Sequence, residues 1–233
     1  MKLIQQTITL ILTTVLLMAA LPSYAGGKET ATIWSAVQVL EDVLSDQSEE
    51  SIPTSLLRKG DGVVILPGML SVGFGVGVSH GNGVMLFRKD GRWNNPVFVS
   101  MSGASYGYQI GAQSSDVILS FKRPNTIESM LDGKLTLGVD ASISAGPVGR
   151  ETKIATDPTL KSEIYSWSRS RGLFVGVALD GSALTVNDEA NASFYDHQGI
   201  TAEEIIQQPT DNRSSGLRRL KALLDQHIGG EDR

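Results

Sequence analysis

The segment Gly73-Phe74-Gly75-Val76-Gly77-Val78 decides the predicted fold of this chain. Glycine alternates there with a large apolar residue, and a period of two is the spacing of side chains along a β-strand. Glycine inside a strand marks a tight bend or a place where two backbone segments come close together. The segment therefore predicts a strongly curved sheet. We expect residues His80 to Gly83 to turn the chain and Val84 to Arg88 to return as the partner strand.

Further strands and flanking helices are predicted around this segment. The strictest alternation runs from Leu135 to Gly146, with the large apolar residues on one face. A hairpin is predicted from Ile164–Ser170 and Leu173–Leu179. Helical spacing of apolar residues predicts helices at 28–44, 52–59, 202–206 and 216–228. Because strand follows strand without long helices between them, we predict an α+β fold: a mainly antiparallel, strongly curved or barrel-like, Gly-rich β-sheet with N-terminal and C-terminal helices packed on it.

The N-terminal segment has the pattern of a secretory signal peptide. Lys2 precedes an apolar run from Ile8 to Leu21, and Ser23-Tyr24-Ala25 places small residues at the two positions that signal peptidase reads. We expect cleavage after Ala25, so that residues 1–25 are removed and residues 26–233 form a single domain in the periplasm. Removal leaves 19 basic and 25 acidic residues, a net charge of −6.

Composition argues against several classes of function. With 20 Lys and Arg against 25 Asp and Glu, the chain lacks the diffuse basic surface of a nucleic-acid-binding protein. It contains no cysteine, which excludes disulfides, thiolate metal sites and cysteine nucleophiles. The histidines, His80, His197 and His227, are far apart in sequence, and no two have metal-ligand spacing. We therefore predict no metal site.

Two segments match the G-x-S-x-G pattern of serine hydrolases, at residues 77–81 with Ser79 and at residues 103–107 with Ser105. In such enzymes a strained turn from strand to helix presents the serine oxygen beside an oxyanion hole. Neither segment is followed by a helical pattern, so the favoured interpretation is small residues packing within curved strands. A serine hydrolase stays as a third hypothesis, and no catalytic residue is assigned.

Two acids fall inside predicted strands, Asp116 and Asp140, where burial would require a partner. Arg150, Arg169 and Arg171 are the candidate partners. The favoured role for each acid is an ion pair or a cap on backbone N–H groups. A catalytic pair of carboxylates is the alternative, but nothing in the sequence identifies a substrate pocket for it.

Basic residues cluster at predicted strand ends and turns, for example Lys122-Arg123 and the pair Arg169 and Arg171. A rim of such residues beside Trp93 or Trp167 would suit the headgroup surface of a membrane, where each cation contributes about 1 kcal/mol near anionic lipid. The plain alternative is charge on solvated turns.

Several blocks of the strand region, taken together, resemble the SYLF domain family. They follow one another within residues 55–206 and include Phe74-Gly75-Val76-Gly77, Gln109-Ile110-Gly111-Ala112-Gln113-Ser114-Ser115-Asp116-Val117, Ala145-Gly146-Pro147-Val148-Gly149-Arg150 and Tyr165-Ser166-Trp167-Ser168-Arg169-Ser170-Arg171-Gly172. The resemblance implies a lipid-binding module without catalytic activity or cofactor. Eukaryotic members bind phosphoinositide membranes, and some bind and bundle actin. An exported protein meets neither cytosolic actin nor phosphoinositide-rich leaflets, so only a general role in binding phospholipid or an apolar ligand carries over.

The leading hypothesis is a periplasmic, non-catalytic protein that binds phospholipid headgroups through basic residues, with the 28–44 helix offering an apolar face to the membrane. Candidate lipid-binding residues are Arg150, Arg169 and Arg171, which lie inside the matching blocks, and Lys122 and Arg123, which are added from local charge. The alternative is a structural or protein-interaction module of the cell envelope without a lipid site, with an envelope protein as its partner.

Overall fold

The computed structural model describes residues 27–46, 52, 54–58, 60–89, 91–122, 126, 130–131, 133–146, 162–171, 179, 181–209 and 214–228. The predicted signal peptide, Arg123, Arg150 and residues 173–178 of the predicted second hairpin strand lie outside them. The elements in chain order are α1 (Gly27–Ser45), α2 (Thr54–Arg58), β1 (Gly62–Lys89), β2 (Arg92–Trp93), β3 (Val97–Phe121), β4 (Lys134–Thr136), β5 (Ile143–Ala145), β6 (Ile164–Arg171), β7 (Ala183–Val186), α3 (Asp188–Tyr195), α4 (Ala202–Gln207) and α5 (Ser215–Ile228).

Strands β1 and β3 form one long antiparallel ribbon. Their register runs from Gly62 opposite Phe121 to Met85 opposite Val97. The turn expected at residues 80–83 is therefore wrong, because β1 continues through it without interruption. The chain turns instead at Gly91, whose φ of +76° suits a glycine, between β1 and the short strand β2.

Glycine lets the first half of β1 pack closely on its second half. A methyl group placed on Gly83 would lie 2.0 Å from the backbone oxygen of Ile65, and one placed on Gly81 would lie 3.0 Å from the side chain of Met69. Only a hydrogen fits at such a close backbone approach. Gly81 and Gly83, which suggested a turn in the sequence, are thus the points where the curled strand contacts itself. The expected strong curvature of the sheet is confirmed.

The remaining strands complete a mixed sheet in the order β2-β1-β3-β6-β5, with β7 also paired to β3 and β4 paired to β7. The described pairings are antiparallel except for β5 with β6. This confirms the predicted α+β class and the mainly antiparallel sheet. Strand β7 lies between the predicted hairpin and the helix predicted at 202–206, where no strand was predicted.

The long strand expected over residues 135–146 is wrong. Residues 137–141 make a turn with Gly138 at φ +80°, between β4 and β5. Asp140 stabilises the turn, since its Oδ2 accepts a hydrogen bond from the backbone N–H of Thr136 at 2.6 Å. Gly and Asp favour turns even where apolar and polar residues alternate around them. Here that preference decides the structure, and the alternating sequence does not form one strand. Val139, expected on the buried face, is 76% exposed.

Apolar clusters pack on both faces of the sheet, away from the middle of β1. One cluster includes Met69, Met101 and Phe121, together with Tyr195 from α3 and Ile205 from α4. The other cluster lies between the sheet and the helices α1 and α5, and its helical members include Ile33, Val37, Leu40, Val43, Leu220 and Leu224. An ion pair between Arg219 Nη2 and Glu41 Oε1, at 2.6 Å, links the two helices at the surface. The helices predicted at both ends of the chain are confirmed.

Candidate functional site

The middle of β1 carries a row of exposed apolar side chains. Leu70, Val72, Val76 and Val78 are 52%, 46%, 53% and 63% exposed. They alternate with less exposed residues, so they lie on one side of β1, two before and two after the register shift between Phe74 and Val76. We call these four residues the apolar row. Exposed apolar residues that stand together mark a binding surface more often than singly scattered ones do.

The residues opposite the apolar row are uncharged. Across the ribbon, Ser114 lies opposite Leu70, Ala112 opposite Val72, Tyr106 opposite Val76 and Ala104 opposite Val78. No Asp, Glu, Lys or Arg occurs between Gly62 and Phe87 in β1, or between Val97 and Ser115 in β3. A partner held by salt bridges therefore has nothing to pair with on this part of the ribbon, whereas an apolar partner meets the four side chains of the row.

Arg169 lies near Leu70, the first residue of the apolar row. Strand β6 pairs with β3 so that Arg169 is opposite Asp116 and Arg171 is opposite Ser114, which in turn is opposite Leu70. Directly opposed residues share a face of a sheet, so the exposed Arg169 is on the same face as Leu70. Ideal sheet spacings put their Cα atoms about 12 Å apart. The register thus brings two of the predicted basic positions next to the apolar row.

Polar side chains follow the apolar row along β1. His80 and Asn82 continue the same face of β1 and are exposed. His80 Nδ1 and Ser102 Oγ are hydrogen-bonded at 2.8 Å, and Ser100 Oγ donates to Asn82 Oδ1 at 2.7 Å. Because Gly81 lies against Met69, the curl of β1 brings the backbone at His80 close to the backbone at Leu70, the start of the row.

Lys122 lies away from this surface. It follows the last residue of β3, opposite the start of β6, and its Nζ stands 4.8 Å from the centre of the Tyr165 ring. The structure therefore separates Lys122 from Arg169, which is at the far end of the β3–β6 pairing. Arg123 and Arg150 lie outside the described residues, so their predicted role stays a prediction.

Two tryptophans and one helix face, expected at a membrane surface, are buried instead. Trp93 and Trp167 are 4% and 5% exposed and belong to the core under α1 and α5. The apolar face of α1 packs into the same core, so it is covered in the folded protein. Trp34 on α1, in contrast to these buried residues, is 41% exposed. None of the helices in the described ranges is both long enough and apolar enough to cross a bilayer.

The serine motifs have the structure expected for packing. Residues 77–81 and 103–107 both lie within continuous strands, so neither forms the turn from strand to helix that a nucleophilic serine needs. A methyl group on Gly103 would lie 2.3 Å from Ser182 Oγ, which explains that glycine by close contact. No group of three His, Asp or Glu side chains within the described ranges is placed to hold a metal ion.

Asp116 and Asp140, the two acids predicted to lie in strands, both accept hydrogen bonds from backbone N–H groups. Asp116 is buried and its Oδ1 accepts a hydrogen bond from the N–H of Gly68 at 2.8 Å, while Asp140 is exposed and caps the turn described above. The predicted capping role is confirmed for both. Asp116 also faces Arg169 in the strand register.

Comparison with known proteins decides the family. The model of the family described as "Ysc84: Las17-binding protein actin regulator" matches residues 102–227. The chain belongs to the Ysc84 (SYLF) family. LAS seventeen-binding protein 3 of Saccharomyces cerevisiae is 34% identical over 163 residues, which are 68% of this chain and 35% of the relative. SH3 domain-containing YSC84-like protein 1 of Homo sapiens is 32% identical over 179 residues, which are 76% of this chain and 52% of the relative.

This SYLF chain spans about a third to a half of the length of the curated relatives it matches. The stretch matched by the family model contains Arg169, the β3 side of the ribbon from Ser102 onward and the helices α3 to α5. The apolar row lies on β1, before that stretch. The family description names a regulator that binds a partner protein, which agrees with a binding module more than with an enzyme.

Proposed function

We propose that this SYLF protein is a non-catalytic protein that binds phospholipid membranes in the periplasm. The observation that carries the proposal is the apolar row on the part of the ribbon that lacks charged side chains. Moving Leu70, Val72, Val76 and Val78 from water into the acyl-chain boundary is worth about 1 kcal/mol for each half-exposed side chain, and on the order of 4 kcal/mol for the row. That energy supports a peripheral and reversible association rather than permanent anchoring.

The polar groups next to the row suit the headgroup region. Arg169 is exposed on the same face at one end, where a guanidinium forms charge-assisted hydrogen bonds with lipid phosphate. His80, Asn82 and their serine partners supply further hydrogen-bonding groups after Val78. Because the chain has a net charge of −5, long-range attraction to anionic lipid is absent, and local contacts must hold the protein at the membrane.

The predicted export signal supports a periplasmic location, where the available membranes are those of the cell envelope. The family name describes binding to Las17, and the yeast relative by its own name binds LAS seventeen. An exported chain needs a different partner. A protein of the cell envelope is the second candidate, and the experiment below distinguishes it from lipid.

Flotation of the mature protein, starting at Gly26, with vesicles tests the proposal. Phosphatidylglycerol-rich vesicles and purely zwitterionic vesicles are compared over a salt series. We expect binding to both, with a moderate gain on the anionic vesicles that salt removes, because the row supplies most of the energy and Arg169 the rest. Binding to neither vesicle at any salt concentration would exclude a lipid site and favour the protein partner.

A further inference from the structure

Two buried N–H donors that lack an acceptor lie beside the C-terminal end of α5. They are Arg58 Nε, at the end of α2, and Trp93 Nε1, on β2. Neither atom is accessible to solvent, and neither has a hydrogen-bond partner in the part of the chain that the structure describes. Buried N–H groups in proteins nearly always have an acceptor, so two such groups in one region point to a ligand that supplies one.

The guanidinium of Arg88 connects the two groups. Its Nη1 donates to the backbone oxygen of Arg58 at 3.4 Å, and its Cζ lies 4.8 Å from the centre of the Trp93 ring. Its Nη2 donates to the carbonyl of Ile228, the last residue of α5. Helix α5 also contacts both α2 and β2. These elements and the end of β1 therefore place two arginines and one indole N–H around the same region.

This region has a surplus of positive charge. The hydrogen bond from Arg88 N–H to the oxygen of Asp61 brings residues 58–61 and 88–92 together, and these two segments contain five basic and two acidic residues. Within the described ranges, neither Arg58 nor Asp61 forms an ion pair. On a chain with a net charge of −5, such a local surplus favours an anion as the ligand.

We propose that this region is a binding site for a phosphate group. The side chain of Arg58 and Trp93 Nε1 donate hydrogen bonds to it, and Arg88 supplies a second positive charge. A phosphate group has several strong acceptor oxygens in a tetrahedral arrangement, so it can accept from donors that approach from different directions. A planar carboxylate paired with Arg58 alone would leave the Trp93 N–H without an acceptor.

The burial of the site suits a small ligand. Arg58 and Arg88 are half-buried, so an anion can reach them from the surface and is then partly shielded from water. Hydrogen bonds to a charged group are stronger in such a partly shielded place than in bulk water. Free phosphate, a soluble phosphate ester and a lipid headgroup all offer this group, and the experiment below distinguishes the soluble ligands from the lipid.

The proposed site and the apolar row lie at opposite ends of the two arms of β1. The arms contact each other where Gly81 lies against Met69, next to the bend, and where Arg88 bonds to Asp61. Met69 and Asp61 are separated by roughly 20–25 Å of strand at the usual rise per residue. The site is therefore away from the row, and its test does not depend on the membrane binding proposed above.

Thermal unfolding of the mature protein tests the site, in chloride buffer with and without inorganic phosphate at matched ionic strength. A ligand that binds only the folded state raises the unfolding temperature along a saturable curve, by about 5 °C or more at a hundred times its dissociation constant. A general salt effect does not saturate in this way. Isothermal titration calorimetry then gives the dissociation constant for phosphate, and acetate serves as the carboxylate control.

Three variants locate the binding. Arg58→Met keeps the apolar stem of the side chain and removes the buried donor, so it should unfold at the same or a higher temperature in chloride and bind phosphate at least tenfold more weakly. Trp93→Phe keeps a ring under Arg88 and removes only the indole N–H, which should weaken binding roughly tenfold. Arg219→Met, the control, removes an exposed arginine of α5 that pairs with Glu41, and it should bind phosphate fully.

The expected result is saturable stabilisation by phosphate that Arg219→Met keeps and Arg58→Met loses. No saturable stabilisation of the unsubstituted protein, an equal effect of acetate, or unchanged binding by Arg58→Met would overturn the site. Flotation of Arg58→Met with phosphatidylglycerol-rich vesicles identifies the source of the phosphate. We expect unchanged flotation, which would assign the site to a soluble phosphate or phosphate ester, whereas a tenfold loss would assign it to the phosphate of a lipid headgroup.

Discussion

The carboxylate of Asp116 accepts a hydrogen bond from the backbone N–H of Gly68, 48 residues earlier in the chain, at 2.8 Å. Gly68 has a φ of +60° and lies where the β1–β3 register shifts between Leu66 and Met69. This contact therefore holds the bulge at which the ribbon leaves the body of the sheet. It also sets the position of the apolar row, which begins two residues later at Leu70.

Replacing Asp116 tests the role of this bond. Asp116→Ala removes a buried acceptor for a backbone N–H, and we expect a loss of about 1–3 kcal/mol in the free energy of unfolding, measured in urea. Asp116→Asn keeps an oxygen at the same place and should lose less. Equal losses for the two variants would show that the charge of Asp116, rather than its bond to Gly68, stabilises the fold.

Replacing Gly83 tests the contact between the two halves of β1. The added methyl group of Gly83→Ala would lie 2.0 Å from the Ile65 oxygen, and backbone atoms on both sides leave no flexible group to move. We expect a loss of about 3 kcal/mol or more, or failure to fold. Gly27→Ala is the control, since nothing lies within 4 Å of that position. Full stability of Gly83→Ala would contradict the close approach.

Replacing Asn95 tests the buried polar contact under α5. Asn95 Oδ1 accepts from Lys221 Nζ at 3.0 Å, and its Nδ2 donates to the carbonyl of Pro209 at 3.0 Å. Asn95→Leu removes an acceptor from a buried ammonium group. We expect a loss of about 2–4 kcal/mol in thermal or urea unfolding. The double variant Asn95→Leu, Lys221→Met should recover part of it, and no recovery would mean that the two side chains act independently.

Arg169 should affect membrane binding without affecting stability. Its side chain is exposed, so Arg169→Ala should leave the unfolding midpoint within the error of measurement. Binding to phosphatidylglycerol vesicles should fall roughly fivefold, from the loss of about 1 kcal/mol per cation near anionic lipid. Lys134→Ala removes the same charge from an exposed position on β4 and should leave binding unchanged. A large loss of stability for Arg169→Ala would favour an ion pair with Asp116 instead.

Sequence reasoning identifies the class of fold because periodicity and glycine content act locally. The helical spacing at 28–44 and 216–228 predicts the correct helices, and alternation around Gly73 predicts the curved sheet. Sequence reasoning fails where the same local pattern is compatible with two different tertiary structures. The glycines at 81 and 83 suit a turn as well as a close crossing of backbones, and only the contact with Ile65 and Met69 decides between them.

The site was harder to predict for a similar reason. Alternation shows that Val76 and Val78 share a face but not whether that face is covered, and they are exposed because no described element packs on the middle of the ribbon. Lys122 and Arg169 looked equivalent as basic residues near strand ends, yet the β3–β6 register places them at opposite ends of the pairing. The absence of charged residues from Gly62 to Phe87 is the signal that would have indicated the surface.

Flotation of the variant Val76→Asp, Val78→Asp with phosphatidylglycerol-rich and zwitterionic vesicles tests the central claim most directly. The control Val139→Asp also places a carboxylate on an exposed valine, outside the ribbon, and circular dichroism checks that both proteins are folded. The account predicts that binding of the double variant falls at least tenfold on both kinds of vesicle while the control binds like the unsubstituted protein. Unchanged binding of a folded double variant would contradict the account.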